Sequence, residues 1–146
     1  MVALTKDRNS KSRLGDARAE PMAATVKIDP GAIVMRNAAG FATKGATATG
    51  AFGIGVAQET VDNTGAAGAA KVVCVAGIYA FANSAAGDAI AQADVGKVCV
   101  IVDDQTVAKT NGGNTRSPAG IVDGMACRFG GGNVWVRFDE APMRIG

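Results

Sequence analysis

Three cysteines, two adjacent aspartates and one glycine-spaced loop are the residues of this chain whose types could do chemistry. Cys74, Cys99 and Cys127 could serve as nucleophiles or metal ligands, but both roles need neighbours. The 146-residue chain contains no histidine and no CxxC pair, so a Cys–His couple and the usual zinc sets have no partners to draw on. Cys74 and Cys99 sit in Val-rich runs, which predicts buried free thiols. Asp103 and Asp104 would have to converge to act as acid and base or to hold a cation. Adjacent residues at a strand end point in different directions, so a hairpin turn is the economical reading. The segment GFATKGAT, from Gly40 to Thr47, has the GxxxxG spacing of a phosphate loop, but Ala46 stands where the phosphate-reaching Lys belongs. No GxSxG elbow and no calcium-type acidic cluster occurs. The sequence therefore predicts no catalytic residue, no metal site and no cofactor.

Charge tells more than chemistry does. The first twenty residues hold five Lys/Arg and three Asp/Glu, a surplus equal to the +2 net charge of the whole chain. Thr5, Lys6, Arg8, Lys11, Arg13 and Arg18 read as an extended arm over residues 1–21, with almost nothing to bury, that orders on a partner. The interspersed Asp7, Asp16 and Glu20 favour a mixed-charge protein surface over nucleic acid, because both signs can then be matched. No stretch of about 18 apolar residues is present, and no apolar segment precedes the first charges, so neither a membrane helix nor a secretory signal is expected.

Residues 22–138 form the body. The chain's 20 glycines, all but Gly15 and Gly146 in this body, exceed the usual ~7 % share, and much of the apolar content is Ala and Val. Turn signals at Asp29-Pro30-Gly31, Asn37–Gly40, Asp62–Gly65 and Asp103-Asp104 separate short β-branched runs. Phe52, Ile54 and Val56 alternate with Gly53, Gly55 and Ala57, predicting a strand with one buried face and one nearly bare face. Lys71–Phe81 reads as a bent or bulged strand interrupted by Gly77. Asp88–Val95 is the one helical candidate, about two turns closed by Gly96, with Asp88 and Asp94 at its ends. Gly65–Ala70 reads as a flexible connector and Thr110–Pro118 as the most flexible part of the body. In Asn133–Phe138, Val134, Val136 and Phe138 share one face while Trp135 and Arg137 share the other. That second face is either an interface or covered by another part of the body. The fold class that follows is mainly β, a compact barrel or sandwich of short strands with one short helix, followed by a tail over 139–146.

The chain resembles the small capsid-decoration, or cement, proteins of Mu-like and other tailed phages. The residues that carry this are LTKDRNSKSR from Leu4, VKIDPGAIVMRNAAGFATKGAT from Val26 and GIGVAQETVDNTGAAG from Gly53. FANSAAGDAIAQADVGKVCVIVDDQTVAKT from Phe81, SPAGIVD from Ser117 and VWVRF from Val134 complete it. The stretch Phe81–Thr110 is the most specific, and the likeness leaves out the Gly-rich run 128–133 and everything after Phe138. The resemblance implies a non-enzymatic protein on the capsid exterior, made in the bacterial cytoplasm. It would bind the major capsid protein as a homo-oligomer, a trimer in the simplest case, without contacting nucleic acid or membrane. Trp135 and Arg137 are the expected interface candidates on the body. Two other classes stay open: an oligomeric β-barrel enzyme whose Asp103, Asp104 or Asp123 carboxylates meet between subunits, and a receptor-binding head protein.

Overall fold

A computed structural model of the chain describes residues 17–126 and 133–138. The fold is mainly β, as the turn spacing predicts. Strands β1 (Ala17–Pro21), β2 (Val26–Ile28), β3 (Ile33–Arg36), β4 (Ala42–Lys44), β5 (Phe52–Ala57), β6 (Val61–Asn63) and β7 (Lys71–Val75) make up the first half. Strands β8 (Ile78–Asn83), β9 (Val98–Ile101), β10 (Thr106–Ala108), β11 (Pro118–Ala126) and β12 (Asn133–Arg137) make up the second. The first half forms a five-stranded sheet, β1-β7-β5-β3-β4, with β2 and β6 paired separately. The second half closes into a five-stranded barrel, β10-β8-β12-β11-β9.

Two apolar clusters follow from this division. Cys99, Ile101, Val107, Val122, Val134, Val136, Phe81 and Phe138 fill the barrel, and Ile33, Met35 and Val56 reach into the same cluster from the sheet. Met22, Ile28, Val34, Ile54 and Val72 pack on the opposite side of that sheet. Phe138 stands edge-on to both Phe81 and Tyr79, with ring centroids 5.9 and 6.2 Å away.

Strand β5 departs from the strict alternation of its sequence. Val34 is opposite Gly55 and Met35 is opposite Gly53, so Ile54 is the extra residue of a bulge. The bulge switches parity: Phe52 and Ile54 join one cluster, while Val56 joins the other. The face that reads as bare is therefore a packed one. A Cβ at Gly53 would lie 2.3 Å from the Ala119 carbonyl oxygen, and one at Gly55 (φ +155°) would lie 2.7 Å from that of Val75. Glycine is required at Gly53 because β11 crosses directly over β5, and at Gly55 because the backbone at the end of β7 lies against it.

The Lys71–Phe81 run is two strands, not one bent strand. β7 ends at Val75 in the first sheet, and β8 begins at Ile78 in the barrel. Ala76 and Gly77 pass the chain from one sheet to the other. The helical candidate consists of two separate 3-10 turns, Ala86–Asp88 and Gln92–Asp94, with extended backbone at Ala89 and Ala91. Asn83 holds this gap open by bonding both the N–H and the carbonyl of Ile90, at 2.8 and 2.9 Å. Gly96 does take the positive φ of a stop residue, +89°.

Two segments that read as flexible are tied down. In the 65–70 connector, Gly68 N–H donates to the Met22 carbonyl and Met22 N–H to the Ala70 carbonyl, at 2.8 and 2.9 Å. In the 110–118 loop, Thr115 and Arg116 N–H both donate to the Asn111 carbonyl. The Ser117 hydroxyl, buried, donates to the Ala48 carbonyl at 2.6 Å and accepts from Ala51 N–H. Short polar side chains capture nearby backbone groups and so replace loop freedom with fixed geometry.

Candidate interaction surface

Strand β12 alternates as its sequence predicts, with Val134 and Val136 buried and Trp135 and Arg137 exposed. Its neighbours fix what surrounds them. Arg137 is opposite Ile78 on β8 and Ile121 on β11, and Ile121 is opposite Val98 on β9. One row of side chains thus runs Ile78, Arg137, Ile121, Val98 across four strands of the barrel. A second row places Trp135 between Ala80 and Gly124. Ile78 is 49 % exposed, Val98 44 % and Trp135 36 %, so this outer face is an apolar surface open to solvent. A Cβ at Gly124 would lie 3.8 Å from Trp135 Cδ1, an ordinary contact, so the indole lies close over this position.

Arg137 is the one basic residue in the middle of that face. Of the four described arginines, Arg18, Arg36 and Arg116 each lie near a carboxylate. Among the described residues, Arg137 has no such partner.

The arm's root lies at the edge of the same face. Ala17 is opposite Val75, and Phe138 N–H donates to the Gly77 carbonyl at 3.0 Å. Val75 is the last residue of β7, and Gly77 lies in the link that leads from it into Ile78. Arg18, counted with the arm, sits on β1 with its Nη1 3.9 Å from Glu20 Oε1. Residues 17–21 thus belong to the folded body rather than to an arm ending at Pro21. Thr5, Lys6, Arg8, Lys11 and Arg13 lie outside the described residues, as do Cys127, the 130–132 glycines and the 139–146 tail.

The candidate carboxylates do not converge within the chain. Asp103 and Asp104 occupy the β9–β10 turn, where Asp103 Oδ1 accepts from Gln105 N–H at 2.9 Å and the Asp104 carbonyl accepts from Ile33 N–H. Asp123 is the extra residue of a bulge in β11, beyond the other end of β9. Asp88 does have a defined setting. Its carboxylate accepts from the Thr110 hydroxyl and from Arg116 Nη1 at 3.2 Å. These hydrogen bonds, the hydroxyl first, hold its pKa below the ordinary carboxylate value. Asp94, on the second 3-10 turn, accepts from Ala91 N–H at 2.9 Å. No group of three metal-ligating side chains occurs among the described residues.

Cys74 and Cys99 are buried free thiols, as the Val-rich runs predict. Burial pushes Cys99 up to about 11, which keeps it protonated and unreactive. Sequence reasoning missed Asn63, taken only as a turn residue. Its buried amide donates to the Ala23 and Ala66 carbonyls at 2.9 and 3.1 Å and stitches β6 to the chain leaving β1. Asn in a turn signal was the only available cue.

Comparison with protein-family models, with curated proteins and with solved structures finds no match to this chain.

Proposed function

We propose that this chain is a decoration protein of a tailed-phage head. It binds the outside of the assembled shell as a homo-oligomer and stabilises contacts between major capsid subunits, with no enzymatic step. The charged segment before Ala17 is the grip, and the β-body is the cap that gathers several grips on one lattice. The observation that carries this reading is the anchorage of the arm's root. β1 pairs along its whole length with β7, from Ala17–Val75 to Pro21–Lys71, so a pull on the arm is delivered to a sheet and not to a loop. The sequence resemblance supports the choice of a capsid as the surface gripped.

The mechanism is multivalent. Once one copy has docked, each further arm binds at a high effective concentration, and an arm that orders on the lattice favours assembled shell over free subunits. The test is co-purification with intact heads at a fixed ratio to the major shell subunit, using the full chain and a variant lacking residues 1–16. Decoration by the full chain and loss of it in the variant are expected. Undiminished decoration by the variant rules the arm out as the grip.

A further inference from the structure

The geometry points to the outer face of β8, β12, β11 and β9 as the surface that lies against the shell, with Arg137 as an anchor for a carboxylate set among apolar groups of the partner. This rests on the decoration reading and specifies which side of the body faces inward.

Three observations choose the occupant. The first is charge. Arg137 stands between Ile78 and Ile121, beside Trp135, and has no carboxylate within 4 Å among the described residues. An unpaired guanidinium framed by apolar side chains becomes strongly favourable when a partner carboxylate arrives and water leaves. Trp and Arg are also the residue types that dominate interface energetics.

The second is size. Four strands at ~4.8 Å spacing, two rows deep, present on the order of 300 Å². A stable dimer needs about 800 Å² on each partner, so this face alone does not hold a second copy. It works as one contact among several. The third is position. Ala17 is paired beside Val75, three residues before Ile78, so the arm leaves the body at the rim of the face. A partner that takes the arm is already next to Trp135 and Arg137.

The test uses phage heads assembled without this chain and the full-length protein. Wild type, Arg137→Glu, Trp135→Ala and Lys27→Glu are titrated onto heads, with free oligomer size followed by light scattering. Lys27 is exposed on β2, away from the barrel, and controls for net charge. Wild type and Lys27→Glu should bind alike, while Arg137→Glu and Trp135→Ala should bind roughly thirtyfold more weakly or worse, with unchanged solution size and melting temperature. If Trp135→Ala unfolds, Arg137→Glu alone decides, because that side chain is already in solvent. Equal binding by Arg137→Glu overturns the proposal and leaves the decoration reading intact. A smaller solution assembly for Arg137→Glu assigns the face to a second copy, which also overturns it. Failure of the wild type to bind heads overturns the decoration reading and this inference with it.

Discussion

Glu20 Oε1 accepts from Arg36 Nη2 at 2.8 Å, although β1 and β3 are separated by β7 and β5 in the sheet order. The two meet because the sheet curls until Met22 bridges Ala42 and Ala23 N–H donates to the Ala42 carbonyl. Arg36 also lies over the Phe52 ring, 5.6 Å from its centroid. Side-chain exposure is only 12 % for Glu20 and 17 % for Arg36, so the pair is poorly hydrated and its loss costs more than that of an exposed surface pair.

We therefore expect Glu20→Ala to destabilise the body by about 2 kcal/mol, read as a lower urea midpoint at unchanged slope. Removal of residues 1–16 should leave that midpoint unchanged. Removal of residues 1–20 should lower it at least as much as Glu20→Ala. Equal midpoints for both truncations would show that β1 adds no stability.

Gly53→Ala should be among the most damaging single substitutions. The added methyl meets the Ala119 carbonyl oxygen and backbone carbon at 2.3 and 3.0 Å, where backbone and not a flexible side chain must give way. A loss of about 3 kcal/mol or more is expected in chemical denaturation. Gly87→Ala is the control, because nothing lies within 4 Å of its Cβ position.

The Asp88 carboxylate gives the 110–118 loop an acid dependence. Its folded pKa lies below the ordinary 3.8, so its contribution is fully present above 3.8 and is lost as pH falls through the lower folded value. Hydrogen exchange at Lys109 N–H, which donates to the Asp88 carbonyl at 2.9 Å, should speed up in that window more than intrinsic exchange requires. Asp88→Asn should abolish the extra dependence. An unchanged acid profile in that variant would remove the carboxylate from the account.

Cys74 and Cys99 should resist a thiol reagent at pH 8 while the protein is folded. In a Cys127→Ser background both should react together on unfolding, Cys99 being held near 11 by burial. Rapid labelling of folded protein would mean that the Val-rich strands open locally.

What the sequence disclosed depended on whether a residue's fate was decided by its neighbours in the chain. The alternation of β12 was legible because Val134, Trp135, Val136 and Arg137 obey a period of two by themselves. The hairpin at Asp103-Asp104 was legible for the same reason. The β5 bulge was not, because Ile54 becomes the extra residue only against Val34 and Met35. Nor was the role of Gly53, which is set by Ala119 in another sheet. Asn63 and Ser117 looked like ordinary turn residues until the carbonyls they bind, 40 and 69 positions away, were in place. On the candidate surface, Trp135 and Arg137 were found from the sequence. Their neighbours Ile78 and Val98 were not, since only barrel closure sets all four in adjoining rows.

The link at Ala76 and Gly77 has a mechanical side. Ala17 pairs with Val75 just before it and Phe138 N–H donates to Gly77 within it, so a force arriving along β1 reaches the barrel through this link as well as through the apolar cluster that sheet and barrel share. Tension directed along β1 strains its five pairings with β7 together, in shear, whereas tension at right angles opens them one after another. The same attachment is thus strong in one direction and weak in another. A shell pushing outward along the strong axis would meet its full resistance, and a copy peeled from the side would let go.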